Sequence, residues 1–223
     1  MKPLVVAIVV LSLTGCGATQ KVNVRNEAEA SRYDPSSMAR IRLFAQGMIQ
    51  GGYVSGKSCE SFYNDTTAQA DPERAGWKNG DAHLGEMFRR EENSVVGMPA
   101  SKSTAEINES RLYYNEHVVP ANRPLIVGYV AGGPGSVYCK PFPIIFTPQP
   151  GQDYEAWYQY TRNQFNQPAC TISLQKIVTV GDAPVERRVM PLACIGEKVG
   201  EYQTADPFVK AEYLRQPEST VGP

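Results

Sequence analysis

The sequence predicts an all-β protein: a disulfide-stabilised, antiparallel β-sandwich or partly open barrel, preceded by a signal peptide and a flexible tether. Short apolar segments recur along the chain with turn residues between them, as in sandwiches and barrels. Glycine and proline number 19 and 17, above their usual combined share of about 12 per cent. Four cysteines follow Cys16, and an even set in an exported chain predicts two disulfides.

The first fifteen residues are typical of a lipoprotein signal peptide. After a basic second residue, positions 4–13 form an apolar run that is too short for a membrane-spanning helix, which needs about 20 residues. Residues 13–16, LTGC, resemble the bacterial lipobox, which implies cleavage before Cys16 and acylation of that cysteine. Gly17 stands where an aspartate would favour the inner membrane, so the outer membrane is favoured. An ordinary signal peptide followed by a chance cysteine is the alternative.

The charge balance argues against nucleic-acid binding and against membrane attachment by a polybasic cluster. Cleavage before Cys16 removes one lysine and no acid, so the mature chain carries a formal charge of −2. Nucleic-acid binding needs a basic stripe, and electrostatic attachment to lipid head groups needs a polybasic cluster. We therefore predict no nucleic-acid partner. The membrane is reached through the N-terminal lipid, and the predicted location is the outer membrane, with the domain facing the periplasm.

The chain divides into four predicted segments. Residues 1–15 are the signal peptide, and residues 16–37, which are polar and lack sustained periodicity, are the acylated N-terminus and a flexible tether. Residues 38–200 form the β-sandwich domain, and residues 201–223 are a C-terminal tail. A flexible tether of about 20 residues would reach roughly 25 Å from the lipid.

Strand predictions within the domain follow apolar alternation. Residues 39–44 alternate apolar and basic side chains, which is typical of a half-buried strand. The other predicted strands are 53–54, 95–99, 111–119, 124–131, 138–147, 153–160, 170–178 and 185–194. Residues 60–80 are predicted to form an extended loop. Residues 81–92 fit either a helix or a loop, because Gly85 interrupts their apolar face.

A hairpin is predicted near the end of the domain, with its turn at residues 181–184, GDAP. A register centred on Asp182 places three apolar pairs on one face, as a correct register should. These pairs are Cys170 with Cys194, Ile172 with Leu192, and Leu174 with Met190. The same register sets Lys176 against Arg188, a like-charge pair that counts against it. Pro191 cannot donate to a ladder and marks an edge strand.

The four cysteines beyond Cys16 allow three connectivities. Because the predicted register sets Cys170 opposite Cys194, it favours a disulfide between them and leaves Cys59 to bridge Cys139. None of the four shows C-x-x-C spacing, so neither zinc binding nor dithiol redox chemistry is predicted. By chain entropy, the two disulfides would contribute about 3.5 and 4.5 kcal/mol.

Several short segments, in their order along the chain, carry a resemblance. They are ARIRLF at 39–44, KSC at 57–59, GMP at 97–99, VPANRPL at 119–125 and FTPQPGQDYE at 146–155. Together they resemble a family of small proteobacterial outer-membrane lipoproteins with a lipobox and a β-rich domain of unknown function, over residues 38–180. The resemblance implies export, a β-rich domain and disulfides, and it implies no activity. The family pattern has a glycine near Asn122, where this chain departs from it.

The stretch GGYVSGKS at residues 51–58 fits the phosphate-loop pattern G-x-x-x-x-G-K-[ST], yet its context predicts no nucleotide site. A phosphate loop needs a buried strand before it and a helix after it, whose amide groups hold the phosphates. Residues 59–67 are poor helix formers, and the periplasm lacks a nucleotide pool. A glycine-rich turn beside a strand is therefore predicted. Neither nucleotide nor cofactor is expected.

No catalytic or metal site is predicted. His83 and Glu86 could share a helical face, but two ligands do not make a metal site, and His117 is the one other histidine. The sequence has no G-x-S-x-G elbow and leaves no cysteine free to act as a nucleophile. A solvated surface accounts better for His83 and Glu86, and a partly satisfied or exposed histidine for His117.

Trp157 is the candidate contact residue. Strand alternation places its ring with Glu155 and Gln159, opposite the face of Tyr154 and Tyr158. An indole among polar neighbours indicates a surface for a protein partner or a glycan. The alternative is a second-layer core residue that a loop covers.

The predicted function is a class of role and not a reaction. The chain is expected to be a lipid-anchored, non-catalytic binding or structural module of the cell envelope that meets an envelope protein or peptidoglycan. The first alternative is a periplasmic inhibitor or immunity lipoprotein against a hydrolase, which would present residues 60–80 as a protruding loop. The second is a periplasmic enzyme, which would need a pocket that gathers His83 or His117 with carboxylates.

Overall fold

The computed structural model describes residues 22–46, 49–64, 92–107, 112–131, 141–162, 166, 168–195 and 198–200. In this part of the chain there are twelve strands and three short helices. The strands are β1 (Val22–Arg25), β2 (Met38–Gln46), β3 (Ile49–Ser55), β4 (Glu92–Val95), β5 (Leu112–Pro120), β6 (Leu125–Ala131), β7 (Ile144–Phe146), β8 (Asp153–Arg162), β9 (Pro168–Val180), β10 (Ala183–Val189), β11 (Leu192–Ile195) and β12 (Lys198–Gly200). The helices are α1 (Glu27–Ala30), α2 (Cys59–Asn64) and α3 (Lys102–Ile107).

The strands form two layers that are joined at β2. One layer has the order β1-β4-β5-β2-β8-β9-β10, and the other continues from β2 through β3-β6-β7-β11-β12. β2 belongs to both because its partner changes along its length: residues 40–43 pair with β8, whereas Gln46 pairs with Ile49 of β3. The predicted all-β sandwich is confirmed. Most pairs are antiparallel, but β1–β4, β4–β5 and β2–β8 are parallel.

The main core lies between the two layers. Apolar side chains at alternate positions of β2, Ala39, Ile41 and Leu43, face inward and pack against the other layer. The Tyr129 hydroxyl of β6 crosses the core and donates a hydrogen bond to the Ala156 carbonyl of β8 at 2.5 Å. Because a buried hydroxyl needs a partner, this bond fixes the distance between the layers as well as satisfying the tyrosine.

The stretch that resembles a phosphate loop has a different structure in this fold. Residues 49–55 are extended in β3 and pair with β6 along their whole length, so the first five residues of GGYVSGKS lie in a ladder and do not form a loop. The prediction of poor helix formers after this stretch is wrong, because α2 begins at Cys59. The extended loop predicted for residues 60–80 is likewise wrong for residues 60–64, and residues 65–80 lie outside the described part.

Gly51 is required by the packing of β3 against β6. A Cβ atom at this position would lie 2.9 Å from the Tyr129 ring and 3.2 Å from the Leu43 Cβ. Since that ring is buried and held by its hydroxyl, it cannot move away cheaply. We expect Gly51→Ala to lower the free energy of unfolding by about 1–3 kcal/mol in urea denaturation. In a Tyr129→Leu background the same change should cost less, and an equal cost in both backgrounds would contradict this account.

The predicted tether is wrong for most of its length. Residues 22–25 form β1, which pairs with β4, and residues 27–30 form α1, which packs on β5. The Ala121 amide donates to the Ser37 carbonyl at 3.0 Å. The folded part therefore includes residues 22–37, which the sequence assigned to the tether. Sequence periodicity missed this segment because β1 is an exposed edge strand of four residues, too short to show alternation.

The predicted hairpin exists, but its register is shifted by one residue. Leu174 is opposite Val189 and not Met190, and Lys176 is opposite Arg187 and not Arg188. The predicted strand 185–194 is in fact two strands: β10 ends at Val189, and β11 pairs with β7 in the other layer. The break falls at residues 190–191, where Pro191 cannot continue a ladder.

The predicted disulfide pairing is wrong as a result. Cys194 lies on β11 and is bonded to Cys59 at the start of α2, with their Cα atoms 5.3 Å apart. Cys170 on β9 is also disulfide-bonded, and its partner lies outside the described residues, as does Cys139. Because Pro191 sends the chain into the other layer, Cys194 never reaches the position opposite Cys170. The Cys170–Cys194 and Cys59–Cys139 pairs are both excluded.

Asn122 has a backbone conformation that few residues other than glycine adopt. Its φ is 60°, in the left-handed region that glycine enters freely and that asparagine tolerates better than most other residues. The tight connection between β5 and β6 needs this conformation, so asparagine suits the position.

Candidate functional site

The outer face of the β2 layer, opposite the main core, carries a buried ionic cluster. Arg42, Glu116 and Glu155 are each at most 1 per cent exposed. They lie side by side because β2 pairs with β5 on one side and with β8 on the other, which sets Arg42 opposite Glu116 and also opposite Glu155. We call these three residues the charge cluster.

Arg42 uses its whole guanidinium within the cluster. Its Nε and Nη2 donate to Glu116 Oε1 at 3.1 and 2.6 Å, and its Nη1 donates to Glu155 Oε1. Nη2 also donates to the Pro99 carbonyl at 3.0 Å. The guanidinium carbon lies 4.9 Å from the centre of the Tyr114 ring, a favourable cation–π position. Such a planar fork suits two carboxylates better than a lysine ammonium would.

The second carboxylate oxygen of Glu116 binds the segment that covers the cluster. Oε2 accepts three backbone N–H groups, from Val96, Gly97 and Met98, at 2.8, 3.0 and 3.1 Å. These residues leave β4 and cross the outer face of the layer, where their amides have no ladder partner to bind. Buried backbone amide groups need hydrogen-bond acceptors. The Glu116 carboxylate therefore accepts the hydrogen bonds that a neighbouring strand would otherwise accept from this segment.

Glu155 links the cover to β9. Ser101 donates its hydroxyl to Oε1 at 2.6 Å, and Gln175 donates its side-chain amide to Oε2 at 2.7 Å. With these bonds, every carboxylate oxygen of the charge cluster accepts a hydrogen bond from the protein itself. A buried charge that is fully bonded in this way orders the structure around it. The cluster holds residues 96–101 on the sheet.

A second ion pair extends the cluster toward the end of the layer. Arg40 Nε and Nη2 donate to the two oxygens of Asp153 at 2.6 and 2.8 Å, and Nη1 donates to the Gly97 carbonyl at 2.7 Å. Tyr33, which follows α1, stacks under this arginine with 4.4 Å between the guanidinium carbon and the ring centre. Burial raises the pKa of the Asp153 carboxyl despite the adjacent guanidinium.

Glu29 of α1 secures the free edge of β5. Its Oε1 accepts the Val118 amide at 3.0 Å and lies 3.3 Å from His117 Nδ1. Burial acts to raise the pKa of Glu29, but the contacts with His117, the Val118 amide and Arg32 outweigh it and hold that pKa below its ordinary value. The carboxylate thus stabilises the fold only while it is ionised.

We expect this contact to weaken in acid. The folded pKa of Glu29 is lowered, so its contribution is complete above the unfolded pKa of about 4.3 and is lost as the pH falls through the folded value. The difference in unfolding free energy between wild type and Glu29→Gln should therefore shrink as urea titrations move from pH 6 to pH 3. Glu27→Gln, at an exposed neighbouring position, should show no such trend. A pH-independent difference for Glu29→Gln would contradict this assignment.

A cleft of about 440 Å³ lies beside β1. It is lined by Val24, Arg25, Asn26, Glu92, Asn93, Ser94 and Asn115. The Asn93 side chain is hydrogen-bonded within the fold, because its amide donates to Asn23 at 2.9 Å and its carbonyl accepts the Tyr114 amide at 3.0 Å. Arg25 likewise pairs with Glu27 at 3.0 Å. These two polar side chains of the cleft therefore stabilise the strands around it.

Trp157 lies on the face that the sequence predicted, beside Glu155 and the charge cluster. Its ring packs edge-on against Phe44 with 6.3 Å between the ring centres, and Phe44 in turn packs on Tyr114 at 5.7 Å. The tryptophan is half-buried. This packing fits the alternative of a second-layer core residue, and the exposed part of the ring keeps the contact surface as a prediction.

Of the other sequence-predicted positions that bear on catalysis, metal binding or lipidation, the structure describes His117. Cys16, His83, Glu86 and Cys139 lie outside the described residues. His117 contacts Glu29 and stacks near Tyr53, with 5.2 Å between the ring centres. Within the described ranges, no three histidine, cysteine or acidic side chains are placed to hold a metal ion. None of the described helices is long and apolar enough to cross a bilayer.

Sequence reasoning missed the charge cluster, although a signal for it exists. Arg40 and Arg42 are two residues apart, and so are Asp153 and Glu155. Equal spacing of opposite charges on two strands is what direct pairing requires.

Comparison with protein-family models, curated proteins and solved structures yields no match for this chain.

Proposed function

We propose that this chain is a lipid-anchored, non-catalytic binding or structural module of the bacterial cell envelope, which faces the periplasm from the outer membrane. The observation that carries the proposal is the disulfide between Cys59 and Cys194, both buried. Disulfides of this kind persist in oxidising compartments. The lipobox at residues 13–16 would deliver the chain to such a compartment, so sequence and structure favour the same location.

A short distance between lipid and domain supports a role at the membrane surface. The first described strand begins at Val22, and five residues lie between Cys16 and Val22. An extended chain covers about 3.3–3.6 Å per residue, so at most about 20 Å would separate the acylated residue from β1. A domain held this closely meets partners at the membrane face and not across the periplasm.

The use of the buried charges supports a non-catalytic role. General acids and bases work with oxygens that are open to a substrate, whereas Glu116 and Glu155 bond to Arg42 and to the covering segment. The buried charges of this cluster are thus committed to holding residues 96–101.

The proposal is tested first by its anchor. Cells that express the chain are fed labelled palmitate and fractionated, with Cys16→Ser as the matched control. We expect label and outer-membrane fractionation for the wild type, and neither for the variant. Wild-type protein that stays unlabelled in the cytosol would overturn the proposal.

The partner class is tested by replacing Trp157 with a photo-crosslinking amino acid in intact cells. Adducts with envelope proteins or with peptidoglycan fragments would support a binding module. A dominant adduct with a single hydrolase whose activity the chain blocks would favour the inhibitor role instead. Turnover of a substrate by the purified chain would reject the non-catalytic proposal.

A further inference from the structure

The β9–β10 hairpin extends beyond the sheet that supports it. β8 pairs with β9 only as far as Ile177, whereas β9 and β10 continue to pair up to Val180 and Ala183. Residues 179–185 are all exposed. The last three residues of β9 and their partners in β10 thus form a two-stranded ribbon. This ribbon protrudes by about 10 Å, at 3.4 Å per residue. The turn has a left-handed Gly181, with φ of 61°.

The register makes this ribbon amphipathic. Cross-strand partners share a face, so the pairs Val178–Val185 and Val180–Ala183 lie on the same face of the tip. Val180 is 53 per cent exposed and Val185 is 38 per cent exposed. One step behind them, on the same face, Lys176 is opposite Arg187. We call these six residues the tip face.

The Lys176–Arg187 pair is unfavourable for folding alone. Like charges directly opposite each other on neighbouring strands destabilise a sheet. Within the described residues, no carboxylate forms an ion pair with either side chain. A local feature that costs stability without compensation is expected at functional positions. The missing compensation would be an anion supplied from outside the chain.

We propose that the tip face inserts into an anionic phospholipid surface. The apolar side chains of Val180 and Val185 would enter the head-group region, and Lys176 and Arg187 would pair with lipid phosphates behind them. Within the tip face, the apolar groups lie nearer the turn and the cations lie behind them, which matches the polarity gradient of a membrane surface. The exposed carboxylate of Asp182 in the turn opposes this attraction, but the two cations outnumber it. The contact is separate from the lipid on Cys16, so it can be tested without acylation.

The shape of the tip face favours a membrane over an acidic protein. A specific protein interface buries about 800 Å² on each partner, which a ribbon of two strands and six side chains does not supply. Protein hot spots are also enriched in tryptophan and tyrosine, whereas the tip carries valine and alanine. Small aliphatic groups and flanking cations suffice for a shallow contact with lipid.

The test uses the full mature chain with Cys16→Ser and vesicles of phosphatidylcholine, with or without phosphatidylglycerol. We expect sedimentation with the anionic vesicles and little with the neutral ones. Arg187→Glu should weaken this binding by roughly 20-fold, since each basic residue near an anionic surface contributes about fivefold. The same change places a carboxylate opposite Lys176, so the melting temperature should stay equal or rise. Loss of binding in a variant that is no less stable cannot be attributed to unfolding.

Val180→Asp separates insertion from simple charge attraction. We expect it to reduce vesicle binding by about tenfold or more, whereas Val199→Asp, at a similarly exposed valine of β12, should bind as the parent does. Vesicle binding that depends on Arg187 but not on Val180 would indicate adsorption by charge without insertion and would overturn the proposal. Equal sedimentation with neutral and anionic vesicles, or with none, would also overturn it. Either failure leaves the acylation test unaffected.

Discussion

Replacing Arg42 with methionine is expected to lower the free energy of unfolding by about 3–5 kcal/mol. Methionine fits the space of the arginine stem, so the loss is mainly electrostatic. Without the guanidinium, Glu116 and Glu155 are left as two buried carboxylates whose strong charged donor is gone. One of them must take up a proton or draw in water, and either response opens the cover.

The measurement is urea denaturation at pH 7, with the melting temperature as a second readout. For a domain of this size the melting temperature should fall by about 10–15 °C, at roughly 2–4 °C per kcal/mol. Arg25→Met is the matched control, because that arginine is half exposed and pairs with an exposed glutamate, and its loss should cost under about 0.5 kcal/mol. Equal effects of the two changes would show that the charge cluster contributes no more than a surface ion pair.

A conservative change within the cluster should cost less. Glu155→Gln keeps an oxygen that can accept from Ser101 and an amide of the same size, and it leaves Glu116 paired with Arg42. It removes one charge from a cluster in which acids outnumber the base. We expect a loss of about 1–2 kcal/mol. Arg42→Met should lower the free energy of unfolding more than Glu155→Gln does. This ranking matters more than either value, because Arg42→Met leaves buried charges unpaired whereas Glu155→Gln mainly weakens hydrogen bonds.

The sequence could predict the strands of the fold because alternation is local. The predicted strands 39–44, 111–119, 124–131, 153–160 and 170–178 correspond to β2, β5, β6, β8 and β9. Alternation cannot reveal that both faces of a strand are buried. In residues 39–44, the apolar face was correctly assigned to the core, but the basic face was expected in solvent. That face is buried by residues 96–101, which lie far away in the sequence.

What could not be predicted depends on contacts between distant segments. The pairing of β2 with β8 is parallel and joins residues 113 apart, as in Arg42 and Glu155. No turn specifies such a pair. The hairpin register failed for a related reason: a shift of one residue exchanges which side chains face each other, and Pro191 moves the chain into the second layer. The break at Pro191, and not the one-residue shift at Leu174, made the predicted disulfide at Cys194 wrong.

Removing the disulfide with the double change Cys59→Ala and Cys194→Ala is expected to cost about 3–5 kcal/mol. The bond joins residues separated by 135 positions, and the chain-entropy limit for a loop of that length is about 5 kcal/mol at 25 °C. It also fastens α2 over the outer face of the second layer, where Tyr63 donates to the Cys194 carbonyl at 3.0 Å. Urea denaturation without reductant measures the loss while the Cys170 disulfide stays intact.

The single change Cys59→Ala decides between the observed pairing and the one that the hairpin register predicted. With Cys59 bonded to Cys194, its removal frees the thiol of Cys194, which alkylation in denaturant and peptide mapping would identify. Under the register-based pairing, the label would appear on Cys139 instead. Because Cys194 is buried, the native protein should react slowly and the unfolded protein at once. A label on Cys194 would confirm that the disulfide joins α2 to β11 of the second layer.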